Sequence, residues 1–192
     1  MRLVVINHVT LDGVMQSPGR PDEDTRGGFS HGGWAIPAND EAMVQATGER
    51  MAKPSGGLLL GRRSYEDMLA SWNARGGPYK EALNSAPKHV ASRSSATSLD
   101  WPNSTLLHGD IPAAVAGLKQ RPGGNLVIMG SGQLIRSLLP SGLIDEYLLL
   151  IYPILLGSGQ RLFEHDNPLT ELRLVDSTVT NKGVIIATYQ PA

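Results

Sequence analysis

An apolar run that stops at glycine and passes directly into a helix constrains this chain more than any other feature. Residues 125–139 read NLVIMGSGQLIRSLL. Leu126, Val127, Ile128 and Met129 have the pattern of a buried strand. Gly130, Ser131 and Gly132 follow at once, and Leu134, Ile135, Leu138 and Leu139 then fall on one helical face. Such a turn brings bare backbone N–H groups to the edge of a sheet, where they and the helix dipole favour a phosphate. No glycine stands at the last position of the dinucleotide fingerprint, and there is no P-loop lysine. Taken alone, the glycine pair is equally well explained as tight-turn chemistry.

Two further segments share this geometry. Leu60-Gly61-Arg62-Arg63-Ser64-Tyr65-Glu66 again ends a strand at glycine and begins a helix. Ser64 and the first-turn amides suit a phosphate, and Arg62 and Arg63 add fork-shaped cationic donors. The bland alternative is an exposed arginine pair on a solvated helix start. The third is His89-Val90-Ala91-Ser92-Arg93-Ser94-Ser95, which sets hydroxyls and a guanidinium at a strand end. That chemistry suits the 2′-phosphate separating NADP from NAD, although a serine-rich turn accounts for it alone. All three lie at C-terminal strand ends, where ligands of open α/β sheets bind.

The organisation around them is regular. Strands are predicted at Leu3–Asn7, Gly57–Leu60, His89–Ala91, Thr105–His108, Leu126–Met129, Glu146–Tyr152, Leu172–Ser177 and Val184–Tyr189. Helices are predicted at Asn39–Met51, Arg62–Trp72, Asp110–Gln120 and Ser131–Leu139. Alternation of β and α, then β alone after Leu143, predicts an α/β fold with a mostly parallel sheet and an antiparallel end. No linker or repeat divides the 192 residues, so a single domain over 1–192 is expected. Gly13–Pro37 is polar, glycine-rich and long for a loop; Trp34 and Ile36 are its expected anchors.

Charge and composition exclude several classes. A formal net charge of -1 without a Lys/Arg run argues against a nucleic-acid or acidic-membrane binder. The absence of cysteine removes disulfides, thiol catalysis and cysteine-based metal sites. His8, His31, His89, His108 and His165 show no metal spacing and read as surface or strand-end residues, so no metal is expected. The apolar run Leu3–Ile6 is too short for a signal peptide or membrane span, and a cytoplasmic location is the expectation.

In order, these segments resemble the dihydrofolate reductase-like superfamily. Asn7–Gly13 (NHVTLDG) resembles its first strand and loop. Leu143–Phe163 (LIDEYLLLIYPILLGSGQRLF) is closer to the C-terminal reductase domain of the bifunctional riboflavin-biosynthesis deaminase-reductase and its stand-alone relatives. The resemblance implies a three-layer fold with helices on both sheet faces, and an NADPH-dependent reductase of a small heterocycle. Arg62 would then contact the 2′-phosphate, and Arg63 and Ser64 the diphosphate. Ser92, Arg93 and Ser94 would border the 2′-phosphate and adenine. Gly130, Ser131, Gly132, Gln133 and Leu134 would carry the diphosphate and nicotinamide side. Asp12 and Gly13 would open a lid packed near Gly157-Ser158-Gly159. Asn7, Trp34, Gly157 and Gly159 are the substrate and lid candidates. Asp12 is the candidate proton donor, beside another carboxylate or water.

The resemblance has limits of its own. True dihydrofolate reductases hold the pterin with a buried acid on the first helix. Here that helix reads NDEAMVQATGERMA; Asp40 and Glu41 sit where capping explains them, and Glu49 is flanked as in an exposed turn. The substrate expected is therefore pteridine- or pyrimidine-type, ribosyl-linked forms included, rather than dihydrofolate. The zinc-deaminase motif is absent. A homodimer is expected because relatives are often dimers and Tyr147–Leu156 is long enough for core and interface. A non-catalytic NADP(H)-binding protein on the same fold is the alternative.

Overall fold

The computed structural model describes residues 1–52, 56–164 and 169–192. The His165 reading lies outside them. Eight strands form one sheet: β1 (Arg2–Thr10), β2 (Gly57–Gly61), β3 (Lys88–Ala91), β4 (Ser104–Leu107), β5 (Asn125–Met129), β6 (Glu146–Tyr152), β7 (Leu172–Val179) and β8 (Ile185–Pro191). Their order is β4-β3-β2-β5-β1-β6-β8-β7. Every pair from β4 to β6 is parallel, whereas β8 is antiparallel to both β6 and β7. The parallel body and antiparallel end are as the sequence pattern predicts.

Helices cover both faces, and strand periodicity assigns the residues between them. On β1, Val4 and Ile6 join a core with Met43, Tyr65, Leu83 and Tyr152. Those residues come from α1 (Glu41–Ala52), α2 (Arg62–Arg75), α3 (Pro78–Ser85) and β6. Leu3 and Val5 join the opposite core with Val115, Leu118, Leu134, Ile135 and Leu138, from α4 (Ile111–Lys119) and α5 (Gly132–Leu138). β6 is buried on both sides, which explains its unbroken apolar run.

Three features depart from the sequence reading. α3 was not predicted; it has eight residues and one buried side chain, Leu83, too few for a periodic signal. Its C-terminus is closed by the buried Lys88, whose Nζ donates to the carbonyls of Leu83 and Ala86. Residues 13–37 form a folded loop whose anchoring differs in part from the expectation. Trp34 anchors it as predicted, donating to the Gln16 carbonyl at 2.7 Å, but Ile36 is 47% exposed and does not. The hub is the buried Gln16, which donates to the Asp24 and Arg26 carbonyls and accepts the Gln160 amide.

Third, Glu146 at the start of β6 is an internal acid that the strand pattern did not single out. It is buried, 3.1 Å from Arg2 Nη2 and 3.3 Å from Arg50 Nε. Arg50 turns inward from α1 while Glu49 is exposed. Asp145 does bridge a turn, accepting the Leu3 amide at 2.7 Å and pairing with Lys119 at 2.7 Å. Among the described residues no helix is long and apolar enough to cross a membrane.

Candidate active site

The chain path locates a crevice before any side chain is considered. The segments leaving β1 and β2 lead to α1 and α2 on one face, while β5 leads to α5 on the other. β5 lies between β2 and β1. Chains that part to opposite faces open a gap at the C-terminal strand ends. Here that gap falls at Gly130.

The two glycine turns flanking the gap are tied together. Ser131 Oγ accepts the Gly61 amide at 3.0 Å, and the Ser131 amide donates to Ser64 Oγ at 3.0 Å. Asn7 Nδ2 reaches across from β1 to the Gly130 carbonyl at 3.1 Å. Ser131 holds φ 54° and ψ 41°, a left-handed conformation that turns the strand sharply into α5. Asn7, Gly61, Ser64, Gly130 and Ser131 thus form one connected unit.

Both helix starts at this unit lack a side-chain cap. The first bond into α5 is Ile135 N–H to the Ser131 carbonyl, so the Gly132, Gln133 and Leu134 amides precede any helical acceptor. α5 has only seven residues, so local amides rather than a long macrodipole are what it offers an anion. α4 differs: Asp110 Oδ1 caps it from the Ala113 amide at 3.0 Å. Leu134 is buried in the core, so only its backbone faces the turn, whereas Gln133 is exposed.

The cationic candidates divide. Arg62 is bound to Glu66 at 2.8 and 3.0 Å, the solvated helix-surface pair that is the bland reading of that residue. Arg63 is exposed and makes no ion pair with a described residue. Ser92 is buried, bonded to Thr97 Oγ1 at 2.7 Å and accepting the Ser94 amide at 3.1 Å. It shapes the turn, while Arg93 and Ser94 stay exposed at the end of β3.

On the β1–β6 side, residues 12–16 and 156–161 form a double-loop clasp. Asp12 accepts Thr10 Oγ1 at 2.5 Å, the Gly157 amide at 2.8 Å and the Leu156 amide at 3.3 Å. These bonds, led by the Thr10 hydroxyl, hold its carboxyl below the usual carboxylate range. A group held ionised in this way suits loop closure better than proton donation. The Gly13 carbonyl accepts the Leu162 amide at 3.0 Å, and Val14 bridges to Arg161. A Cβ at Gly159 would lie 2.7 Å from the Phe29 ring and 2.8 Å from Val14, so glycine lets the loops meet. Met15 occupies the space that a side chain on Gly132 would need, joining the clasp to the Gly130–Gly132 turn.

On the α1 side, sequence reasoning named Trp34 and missed His8, Met43 and Tyr152. His8 is not a surface histidine: it is half-buried, with Nδ1 2.7 Å from Tyr152 Oη. Desolvation lowers its pKa to about 4. Trp34 stands edge-on to Tyr152 at 5.1 Å, and Met43 is the buried residue of α1. The α1 acids Glu41 and Glu49 are exposed. His89 is also internal, on β3. Only the period-two alternation of β1 carried a signal for His8. Among the described residues no cluster of His, Asp or Glu fits a metal ion.

Comparison with known proteins accords with this geometry. A solved putative riboflavin biosynthesis protein from Shewanella sp. PV-4 superposes with TM-score 0.73 at 26% identity, covering 100% of this chain and 99% of that one. Enterococcus faecalis dihydrofolate reductase, complexed with NADP(H) and RAB-propyl, gives 0.62 at 16% identity over 99% and 96%. At that identity the likeness speaks for the fold. The Bacillus subtilis protein YyaP is 30% identical over 139 residues, 69% of this chain and 72% of its own. B. subtilis YwjB is 36% identical over 70 residues, 36% of this chain and 40% of its own. The model of the RibD C-terminal domain matches residues 2–186, and the chain belongs to that family.

Proposed function

We propose that this protein is an NADPH-dependent reductase that transfers a hydride to a small pteridine- or pyrimidine-type heterocycle. The observation that carries the reading is the Gly61–Ser64–Ser131 interlock at the end of β5. It places two uncapped helix starts side by side where the chain opens a crevice, as a diphosphate requires. Arg63 and Arg93 lie at neighbouring strand ends with exposed side chains, suited to a 2′-phosphate. Membership of the RibD C-terminal domain family supports the reductase class.

NADPH, when bound, supplies the hydride; the chain supplies position and a dry surround. The Gly132, Gln133 and Leu134 amides would hold the diphosphate, the Ser131 amide being engaged by Ser64, and Asn7 fixes the Gly130 carbonyl that sets the depth of the turn. The Asp12 clasp closes the crevice mouth, with Gly157 and Gly159 as its far side. Asp12 acts as a latch, and the reacting atoms lie against the α1 side. Titration with NADPH and NADH, followed by cofactor fluorescence, tests this reading. Tighter binding of NADPH is expected, equal affinity removes the 2′-phosphate role of Arg63 and Arg93, and binding of neither removes the function.

We also propose a homodimer. β7 is an edge strand whose residues are nearly all exposed, including Leu174, Val175 and Val179. Edges of that kind are commonly covered by pairing or packing. Light scattering at micromolar concentration is expected to give twice the chain mass, and a monomer removes the proposal.

A further inference from the structure

The α1 side of the crevice holds a polar pair that the phosphate turns leave unused. On β1, Asn7 follows the Leu3 and Val5 series toward α5 and bonds Gly130. His8 follows the Val4 and Ile6 series toward α1. Tyr152, opposite Thr10 on β6, brings its hydroxyl to His8 Nδ1 at 2.7 Å, and the rings are 5.6 Å apart. Trp34 and Met43 pack around that phenol, with Met43 Sδ 3.7 Å from Oη. His8 Nε2 bonds no described residue, yet among them the sealed unpaired side-chain atom is His89 Nδ1 and not this one. Nε2 is therefore not fully sealed, and it lies near the C-terminal end of β1 on the α1 face.

The chemistry of the pair fixes what Nε2 offers. A pKa of about 4 keeps the imidazole neutral near pH 7, with one N–H and one lone pair. Burial pushes the Tyr152 phenol up to about 12, so it keeps its proton. That proton has two acceptors within reach, the imidazole nitrogen and the Met43 thioether. The nitrogen is the stronger acceptor and the closer one, so the phenol donates to Nδ1 and the imidazole hydrogen sits on Nε2.

We propose that His8, locked by Tyr152 as the Nε2–H tautomer, reads the substrate by donating to a ring carbonyl or imine nitrogen of an uncharged heterocycle. The substrate's part in this rests on the reductase reading above; the tautomer does not. When hydride reaches the adjacent ring carbon, electron density moves onto the oxygen or nitrogen that Nε2–H already holds. A neutral donor stabilises that charge and keeps its own proton, and a solvent water supplies the proton that completes the reduction. Tyr152 is the positioning residue of the pair. A ring that turns an amino group toward His8 meets donor with donor and is disfavoured.

Nitrogen-15 correlation spectra of the full chain, with His8 assigned through His8→Gln, test the tautomer. The Nε2–H form is expected, and Tyr152→Phe should convert it to a mixture. An Nδ1–H signal in the unsubstituted protein overturns the proposal. Uridine and cytidine are then titrated as probes into protein saturated with NADP+. The His8 Nε2–H resonance should move downfield with uridine and less with cytidine; no movement with either overturns substrate reading by His8. His8→Leu should weaken uridine binding by about three- to tenfold, with His8→Gln recovering part of it. NADP+ affinity should be unchanged in both. Failure of NADP+ to bind is a separate result: it removes the cofactor reading, and the same titrations on the free protein still decide the role of His8.

Discussion

Replacement of Ser131 tests whether the two glycine turns act as one unit. Its hydroxyl accepts the Gly61 amide at 3.0 Å and donates to the Met129 carbonyl at 3.2 Å. Ser131→Ala removes both bonds and strands the half-buried Gly61 N–H. A buried donor left unpaired costs about 1–3 kcal/mol, and water reaching a half-buried one brings this to about 1–2 kcal/mol. At about 2–4 °C per kcal/mol for a chain of this size, the melting temperature should fall by about 2–8 °C. Ser131→Gly loses the same bonds but also the left-handed strain, which is about 1–2 kcal/mol for an L-residue. The extra freedom of glycine in the unfolded chain cancels about 0.5–1 kcal/mol of that gain. Ser131→Gly should therefore melt about 2 °C above Ser131→Ala, with both below the unsubstituted protein. Circular dichroism melts at one scan rate measure the order, and NADPH titration should show both variants weakened by about three- to tenfold. An alanine variant that melts with the parent, or above the glycine variant, refutes the interlock.

Three other perturbations reach different parts of the molecule. Glu146→Ala leaves Arg50, whose side chain is 20% exposed, without its buried carboxylate, and should cost about 2–4 kcal/mol. Arg2→Gln, at a 52% exposed partner, should cost under about 1 kcal/mol; equal urea midpoints for the two variants refute the assignment. Asp12→Asn weakens the clasp, so the Gly157 amide should exchange with deuterium about tenfold faster; unchanged exchange refutes the latch. Because the Asp12 carboxyl is held below its usual 3.8, its stabilising contribution is present above that pH and is lost as pH falls below it. Lys88 has the opposite charge type and a different window. Burial lowers its pKa from the usual 10.5 to about 8, so between those values the unfolded chain holds the extra proton. Stability from this group rises with pH across that interval. Lys88→Met should flatten the rise in urea midpoint between pH 8 and 10.5, and parallel curves for the two proteins refute the burial cause.

The glycine-turn side of the crevice was legible because it is built from local signals. A strand, a glycine and a helix occur in consecutive residues at Gly61 and at Gly130, and each can be read without knowing the other. What could not be read was their union. Ser131 meets Gly61 across seventy residues of sequence, and nothing near either residue announces the partner. Arg62 illustrates the reverse difficulty. Its type fits a phosphate, but Glu66 one helical turn on provides a competing partner that the spacing alone already allowed. Glu146 and Arg50 look like members of polar surface segments and become a buried pair only when β6 and α1 are packed. Gln16 had no signature at all, because its role is to satisfy backbone groups of a loop whose path is set by tertiary contacts.

The α1 side was illegible for a different reason, and that reason bears on how the site works. A strand sends successive side chains to opposite faces, so the end of β1 serves two walls with adjacent residues. Asn7 is committed to the Gly130 turn, and the next residue must then stand on the α1 face, two positions beyond Ile6. Read in isolation, His8 is a lone histidine in an apolar run. Read from the register Asn7↔Leu149 and Thr10↔Tyr152, it is the one polar side chain of β1 aimed at the phenol of β6. A one-residue slip of β1 would exchange the two walls, setting an imidazole against the Gly130 turn and an amide against Tyr152. The packed core residues Val4, Val5 and Ile6 forbid that slip, since each is sealed between helices of its own face. The apolar register of β1 thus fixes the distance between Asn7 at the Gly130 turn and His8 beside Tyr152. In the reductase proposed above, hydride transfer would depend on that separation.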